Sequence, residues 1–442
     1  MDELSNITLS LRRLPLWSRS LTTLSIITAI AFLLAQWEMM PLALGSGVPE
    51  PRQARSAVIF VLLLGLVLGT LAKRLVTRLR PLPPIVLGPE AVSLPSSPEA
   101  WRSRVVPYRD ILAVGETGRQ FLIESSRFYF ELPYRAFVSA EGPQQLVGEL
   151  RRRIGGLAQG GALLEHTELR RRVAQLLLDR RARVTQAVFV SLLGFALMLW
   201  NKGAYSTPTG MLRWGVNAPL LVRAGQWWRL GASSLLHGAF QSPGWAVSTA
   251  VFNGLAISYL GTILERVLGW QRFVVLAGVS GLSAAIATSL FSPALTSCGA
   301  SGIVFGLLGA FGVVTHRLRA QLPLGLRQPL RWWLLLCGLN LALPLLFPVD
   351  LAAHAGGLLA GCLLALGMLR QTRSLPPPAG RPLRWLAPGV IALYAAALGL
   401  AVYHAQRDPM DSERQFMVQA TQAPSTPMPA LNDLAYAWAL YQ

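Results

Sequence analysis

Residues 299–310 read GASGIVFGLLGA: a serine flanked by glycines where an apolar run of membrane-spanning character begins. Small residues at this spacing ordinarily let two helices pack closely in lipid. The other reading is that the hydroxyl of Ser301 is chemically active. The rest of the chain has to separate the two.

Around this stretch the composition is that of a membrane protein. Of 442 residues, 52% are hydrophobic and only 14% charged. Several windows stay apolar for about 18 residues or more, enough to cross a bilayer core. The formal net charge of +19 does not imply nucleic-acid binding. The arginines cluster at the ends of apolar segments and in one polar region, as the positive-inside tendency requires, and the lysines are Lys73 and Lys202 alone. Cys298, Cys337 and Cys362 lie in or beside apolar segments without metal-ligand spacing. Neither a disulfide framework nor a zinc site is expected, and no metal or cofactor.

Spans are predicted at 21–44, 56–72, 186–201, 245–264, 271–290, 300–317, 330–347, 351–369 and 385–404. The first is read as a retained anchor, because a second follows directly. Arg12, Arg13 and Arg19 precede the first span, and Lys73, Arg74, Arg78 and Arg80 follow the second. Arg266 and Arg272, then Arg317, Arg319, Arg327 and Arg331, then Arg370, Arg373, Arg381 and Arg384 fill alternate later connections. An odd number of spans with the N-terminus inside puts all these groups on the cytoplasmic face and the C-terminus outside.

Between the second and third spans, VVPYRDILAV, GRQFLIESS and RFYFELPYRAF read as strands. SAEGPQQLVGELRRRI reads as a helix capped by Ser139, with Leu146, Val147, Leu150 and Ile154 on one face. Strands closed by one C-terminal helix resemble a bacterial PH-like domain, which would meet a partner or lipid. HTELRRRVAQLLLDRRARV continues as a basic helical stem near anionic headgroups. The tail beyond residue 405 ends in the amphipathic ALNDLAYAWALYQ, to which the sequence assigns no role.

Of five histidines, His166, His316 and His404 have no evident partner, whereas His354 opens an apolar span in AAHAGGLLAG. An ionisable residue inside a span is a functional candidate by default. The orientation puts Ser301 and His354 at the outer starts of their spans, at the same depth. His354, Gly357 and Gly361 share one helix face, and Gly302, Gly306 and Gly309 form a groove beside Ser301. Small faces permit the backbone approach that a hydroxyl and an imidazole need to come within about 2.6–3.2 Å. Packing and chemistry are then one explanation.

GASG opening one span and AHAGGLLAG opening the next but one resemble the rhomboid family of intramembrane serine proteases. QWWRLGASSLLH (226–237) resembles that family's Trp-Arg element, and FNGLAISYLGTILERVLG (252–269) resembles its second core span, with Asn253, Gly261 and Glu265–Arg266 in register. The resemblance implies Ser301 as nucleophile and His354 as general base. The oxyanion would be held by the Ser301 N–H and Asn253, with Gly299 permitting the tight approach to the helix start and Gly302, Gly357 and Gly361 supporting the motif. Thr249 stands where the family often has a histidine and is the weaker donor. Phe305 replaces a tyrosine but keeps a ring against the base, and His237 matches a structural histidine. Asp350 is read as a solvated loop residue.

The expected fold is an all-α polytopic membrane protein. It has a six-span rhomboid-like core plus a seventh C-terminal span, two extra N-terminal spans and an inserted small α+β PH-like domain. The domains are 1–72 (two transmembrane helices), 73–160 (PH-like, cytoplasmic), 161–185 (basic stem), 186–405 (protease) and 406–442 (extracytoplasmic tail). The expected activity is cleavage of transmembrane protein substrates near the outer face of a bacterial inner membrane, with an outer loop over 202–235 dipping at the rim. A rhomboid-like pseudoprotease that binds clients without cutting is the rival reading. A transporter would carry an inverted repeat, and none is found.

Overall fold

The computed structural model describes residues 7–11, 82–96, 102–117, 120–125, 129–161, 164–165, 181–205, 210–238, 243–319, 322, 333–334, 337–338, 350–370, 381–407 and 411–422. The expected spans at 21–44 and 56–72, nearly all of 330–347, most of the basic stem and the final ALNDLAYAWALYQ lie outside the described residues. The chain divides into two compact units.

The first unit is built on strands. β1 (Ile7–Leu9), β2 (Ile85–Leu87), β3 (Ala91–Pro95) and β4 (Ser103–Pro107) form an antiparallel sheet in chain order; β5 (Ile111–Thr117), β6 (Gln120–Ser125) and β7 (Tyr129–Pro133) form a second. Helix α1 (Gly142–Gly155) closes the unit. Its Leu146, Val147, Leu150 and Ile154 are buried with Ile85, Leu87, Phe121 and Ile123 in one core, as the apolar spacing predicts. The run expected as one strand over 105–114 is two strands, because Pro107 lacks the N–H needed to continue the ladder and a turn at Tyr108–Asp110 follows it. The helix is also shorter than read. Glu141, not Ser139, stands at its N-cap, and the Ser139 hydroxyl accepts the Glu141 N–H in the preceding turn at 3.3 Å.

β1 was not legible in the sequence, and it constrains topology. Ile7, Thr8 and Leu9 pair with Leu87, Val86 and Ile85. Two strands of one sheet lie on one side of a membrane, so Leu9 and Ile85 share a side.

The second unit is helical: α2 (Arg183–Asn201), two short helices α3 (Pro219–Arg223) and α4 (Arg229–Ala232), then α5 (Pro243–Leu268), α6 (Trp270–Phe291), α7 (Ser301–Arg317), α8 (Leu351–Met368), α9 (Arg381–Arg407) and α10 (Asp411–Gln422). Among the described residues five helices are long and apolar enough to cross a bilayer, namely α2, α5, α6, α8 and α9, and α7 is an apolar helix of 17 residues. The protein is a polytopic membrane protein. Burial of 67% of the apolar window in α6, against 22% in α2 and 17% in α9, makes α6 the central helix. Buried Glu265 at the end of α5 accepts from the N–H groups of Val184 and Thr185 and from the Thr185 hydroxyl, so it satisfies the start of α2, whose N–H groups have no helical acceptor.

The closest packing is between α7 and α8. A Cβ on Gly357 would overlap the Gly302 carbonyl, and one on Gly361 would overlap the Gly306 carbonyl. On the other side a Cβ on Gly302 or Gly306 would strike Ala284 or Ser280 of α6. α7 and α8 therefore meet backbone to backbone, and α6 closes on α7 through small side chains, an arrangement that no larger residue permits.

Two outcomes follow. With the native cysteines replaced, Thr8→Cys and Glu90→Cys, both exposed, should react with an impermeant maleimide from the same membrane side; labelling from opposite sides would contradict the β1–β2 pairing. Gly361→Ala, which must push backbone atoms apart, should destabilise the protein by about 1–3 kcal/mol or more. Gly367→Ala, with nothing within 4 Å of the new methyl, should be neutral or stabilising by up to about 1 kcal/mol in thermal unfolding.

Candidate active site

Ser301 is the first residue of α7. The chain reaches it through Gly299, whose φ of +141° lies in the region that glycine tolerates and other residues do not. The approach is pinned by hydrogen bonds from the preceding loop. Asn217 and Ser297 exchange both backbone bonds at 3.0 and 2.8 Å, Gly299 N–H donates to Ser233 O at 3.0 Å, and Ala300 N–H donates to His237 Nε2 at 3.3 Å. The Asn217 side chain ties this corner to α6, donating to Ala285 O at 2.8 Å and accepting from the Ser289 hydroxyl at 3.0 Å. None of these anchors on 297–300 could be read from local sequence, since each joins segments more than 60 residues apart.

His354 stands in the first turn of α8, 3% exposed. Its ring stacks on Phe305, with centroids 4.0 Å apart and planes at 14°. Phe305 is one turn along α7 from Ser301, so the stacked ring and the Gly302–Gly357 contact bring the N-terminal ends of α7 and α8 side by side. No hydrogen bond joins the Ser301 hydroxyl to His354, and His354 Nδ1 has no partner among the described residues.

Asp350 is not a solvated loop residue. It is the half-buried N-cap of α8, accepting from Ala353 N–H at 3.1 Å and from the Thr288 hydroxyl of α6 at 2.6 Å. The carboxylate satisfies one N–H of the helix start, and its bond to Thr288 fixes the turn carrying His354 to the central helix. An aspartate immediately before an apolar helical run is an N-cap signal, so this role was readable.

Asn253, on α5, lies 3.0 Å from His237 Nε2 through its amide nitrogen. That ring nitrogen therefore faces two N–H donors, Asn253 and Ala300, and must be the unprotonated acceptor, a tautomer assigned from the network. Burial lowers the His237 pKa to about 4, which keeps the ring neutral as this acceptor role demands. Thr249 gives its hydroxyl proton to Ala246 O of its own helix at 3.0 Å. His404 has a partner that sequence did not suggest: its ring lies parallel to Trp228, with centroids 5.2 Å apart.

The family description Rhomboid domain matches residues 224–371, a range that holds Asn253, Ser301 and His354. Rhomboid protease GluP of Bacillus subtilis (strain 168) is 29% identical over 236 residues, covering 53% of this chain and 43% of that protein. Two Arabidopsis thaliana proteins are also similar. RHOMBOID-like protein 4 is 30% identical over 163 residues (35% of this chain, 37% of that protein). RHOMBOID-like protein 7 is 32% identical over 166 residues (36% and 47%). The chain thus spans less than half the length of each of these relatives. Residues 224–371 of the chain therefore match the rhomboid domain, and the relatives similar to this region carry rhomboid names.

Proposed function

We propose that the protein is an intramembrane serine endopeptidase that cleaves transmembrane proteins near the outer membrane face, with Ser301 and His354 as its dyad. The observation that carries this reading is the glycine-to-glycine packing of α7 on α8, which sets Ser301 and the Phe305-stacked His354 at one end of the helix pair. In this reading His354 takes the Ser301 proton as the hydroxyl attacks the scissile carbonyl, and then protonates the leaving amine. The dyad hydrogen bond is unformed here, and such bonds commonly tighten only with substrate in place. Similarity to a relative named as a protease adds to the case.

Asn253 fits the oxyanion role because a primary amide carries two N–H groups. One is directed at His237, and the second has no partner among the described residues. The Ser301 N–H lies in the first turn of α7, where no helical acceptor competes for it. The seven strands in two sheets closed by α1 support a PH-like reading of the first unit. The arginine distribution supports a bacterial inner-membrane location with the N-terminus inside and the C-terminus outside.

Binding of membrane clients without cleavage is the second reading, favoured by the absent Ser301–His354 bond and by Thr249. Fluorophosphonate labelling of the full-length protein in detergent separates the two. Wild type should label, and Ser301→Ala and His354→Ala should each lose the signal, the latter by about 10²–10⁴-fold. A well-folded wild type that resists a range of such probes would establish the binding reading instead. Asn253→Ala should slow labelling about 10²–10³-fold, the usual effect of losing one oxyanion donor. Thr249→Val should stay within about a factor of three, since its proton already goes to Ala246.

A further inference from the structure

Helix α10 follows the last span, and its packing is unexpected for a tail. Phe416 is fully buried in a cluster with Leu199, Leu212, Trp214, Val216 and Leu221. Gln415 accepts from the Gln226 side chain at 2.6 Å. Ser412 is buried and accepts from Arg229 Nη2 at 3.1 Å. Arg229 is itself completely buried, and among the described residues it meets no carboxylate. Its other donors go to Leu212 O at 2.6 Å, Val216 O at 3.1 Å and Gln226 Oε1 at 2.7 Å. A buried guanidinium with only neutral acceptors depends on each of them, and Ser412 is the one supplied from outside the loop.

This arrangement leads to the nucleophile. Arg229 fixes the carbonyls of Leu212 and Val216, and the next residue, Asn217, forms the two-bond bridge to Ser297. Gly299 and Ala300 are then held by Ser233 and His237 of the same loop. The far side of the loop is closed by α9, where Trp228 stacks on His404 and Gly231 lies against Ala397 with no room for a side chain.

We infer that α10 is a clamp on the outer loop, and that Ser412 and Phe416 are positioning residues for Ser301, acting through Arg229 and the 297–300 segment. The catalytic half of this inference rests on the protease reading; the mechanical half does not. In the full-length protein, Ser412→Ala and Phe416→Ala should speed hydrogen exchange of the 295–302 amides about tenfold, with 351–368 unchanged. Both variants should lower kinact for a fluorophosphonate by at least about fivefold with KI unchanged, because the nucleophile is misplaced while the probe site is intact. Ser412→Thr, which restores the acceptor, should recover both readouts. Unchanged exchange at 295–302 in both variants, or unchanged kinact in both, overturns the inference. If Phe416→Ala fails to fold, Ser412→Ala with its threonine rescue decides the matter alone. A wild type that never labels while its exchange still responds to Ser412→Ala overturns the protease reading and upholds the clamp.

Discussion

The contact of glycine backbone on glycine backbone between α7 and α8 is the constraint on which the rest of the helical unit depends. Gly302 and Gly306 present bare carbonyls to Gly357 and Gly361, and α6 closes on the other side through Ala284 and Ser280. In a bilayer no hydrophobic force drives one helix onto another, so close packing and satisfied polar groups have to supply the association. Because the contact leaves no gap, the register of α8 on α7 is fixed, and with it the position of the His354 ring over Phe305.

A second requirement acts at the N-terminal end of α7. The chain from Ser297 to Ser301 is irregular backbone beside an apolar region, where an unpaired N–H is costly. The loop supplies the partners: Asn217 to Ser297, Ser233 to Gly299 and His237 to Ala300. His237 can do this only as a neutral ring, and its burial keeps it so. One imidazole nitrogen thereby orients the Asn253 amide and secures the residue before Ser301. Asp350 performs the equivalent task for the start of α8, using Thr288 as its second anchor.

The two units differ in how well they could be read from sequence. In the β-rich unit, β5, β6, β7 and α1 were legible because alternating apolar residues and a three–four helical spacing mark them directly. β1 was not, since three residues ahead of a long apolar stretch carry no pairing signal of their own. Pro107 could have warned that one run was two strands. In the membrane unit the span limits lay within a few residues of the helices described, because a continuous apolar run is a strong signal. α10 was missed because Asp411–Gln422 is polar overall and its one buried anchor, Phe416, looks like any isolated aromatic.

Sequence alone determined the membrane class and the apolar runs that became the described helices, and it singled out Ser301 and His354 as candidates at the starts of two of them, since length, apolar content and glycine spacing are properties of the chain itself. It also marked Asn253 and the small faces. Tertiary structure decided what holds those residues: the His237 bridge, the Asp350 cap tied to Thr288, and the buried Arg229 with Ser412 from a helix some 180 residues away. These are hydrogen bonds between distant segments, formed because buried polar groups must find partners wherever the fold brings them. No local pattern in the sequence encodes which partner that is.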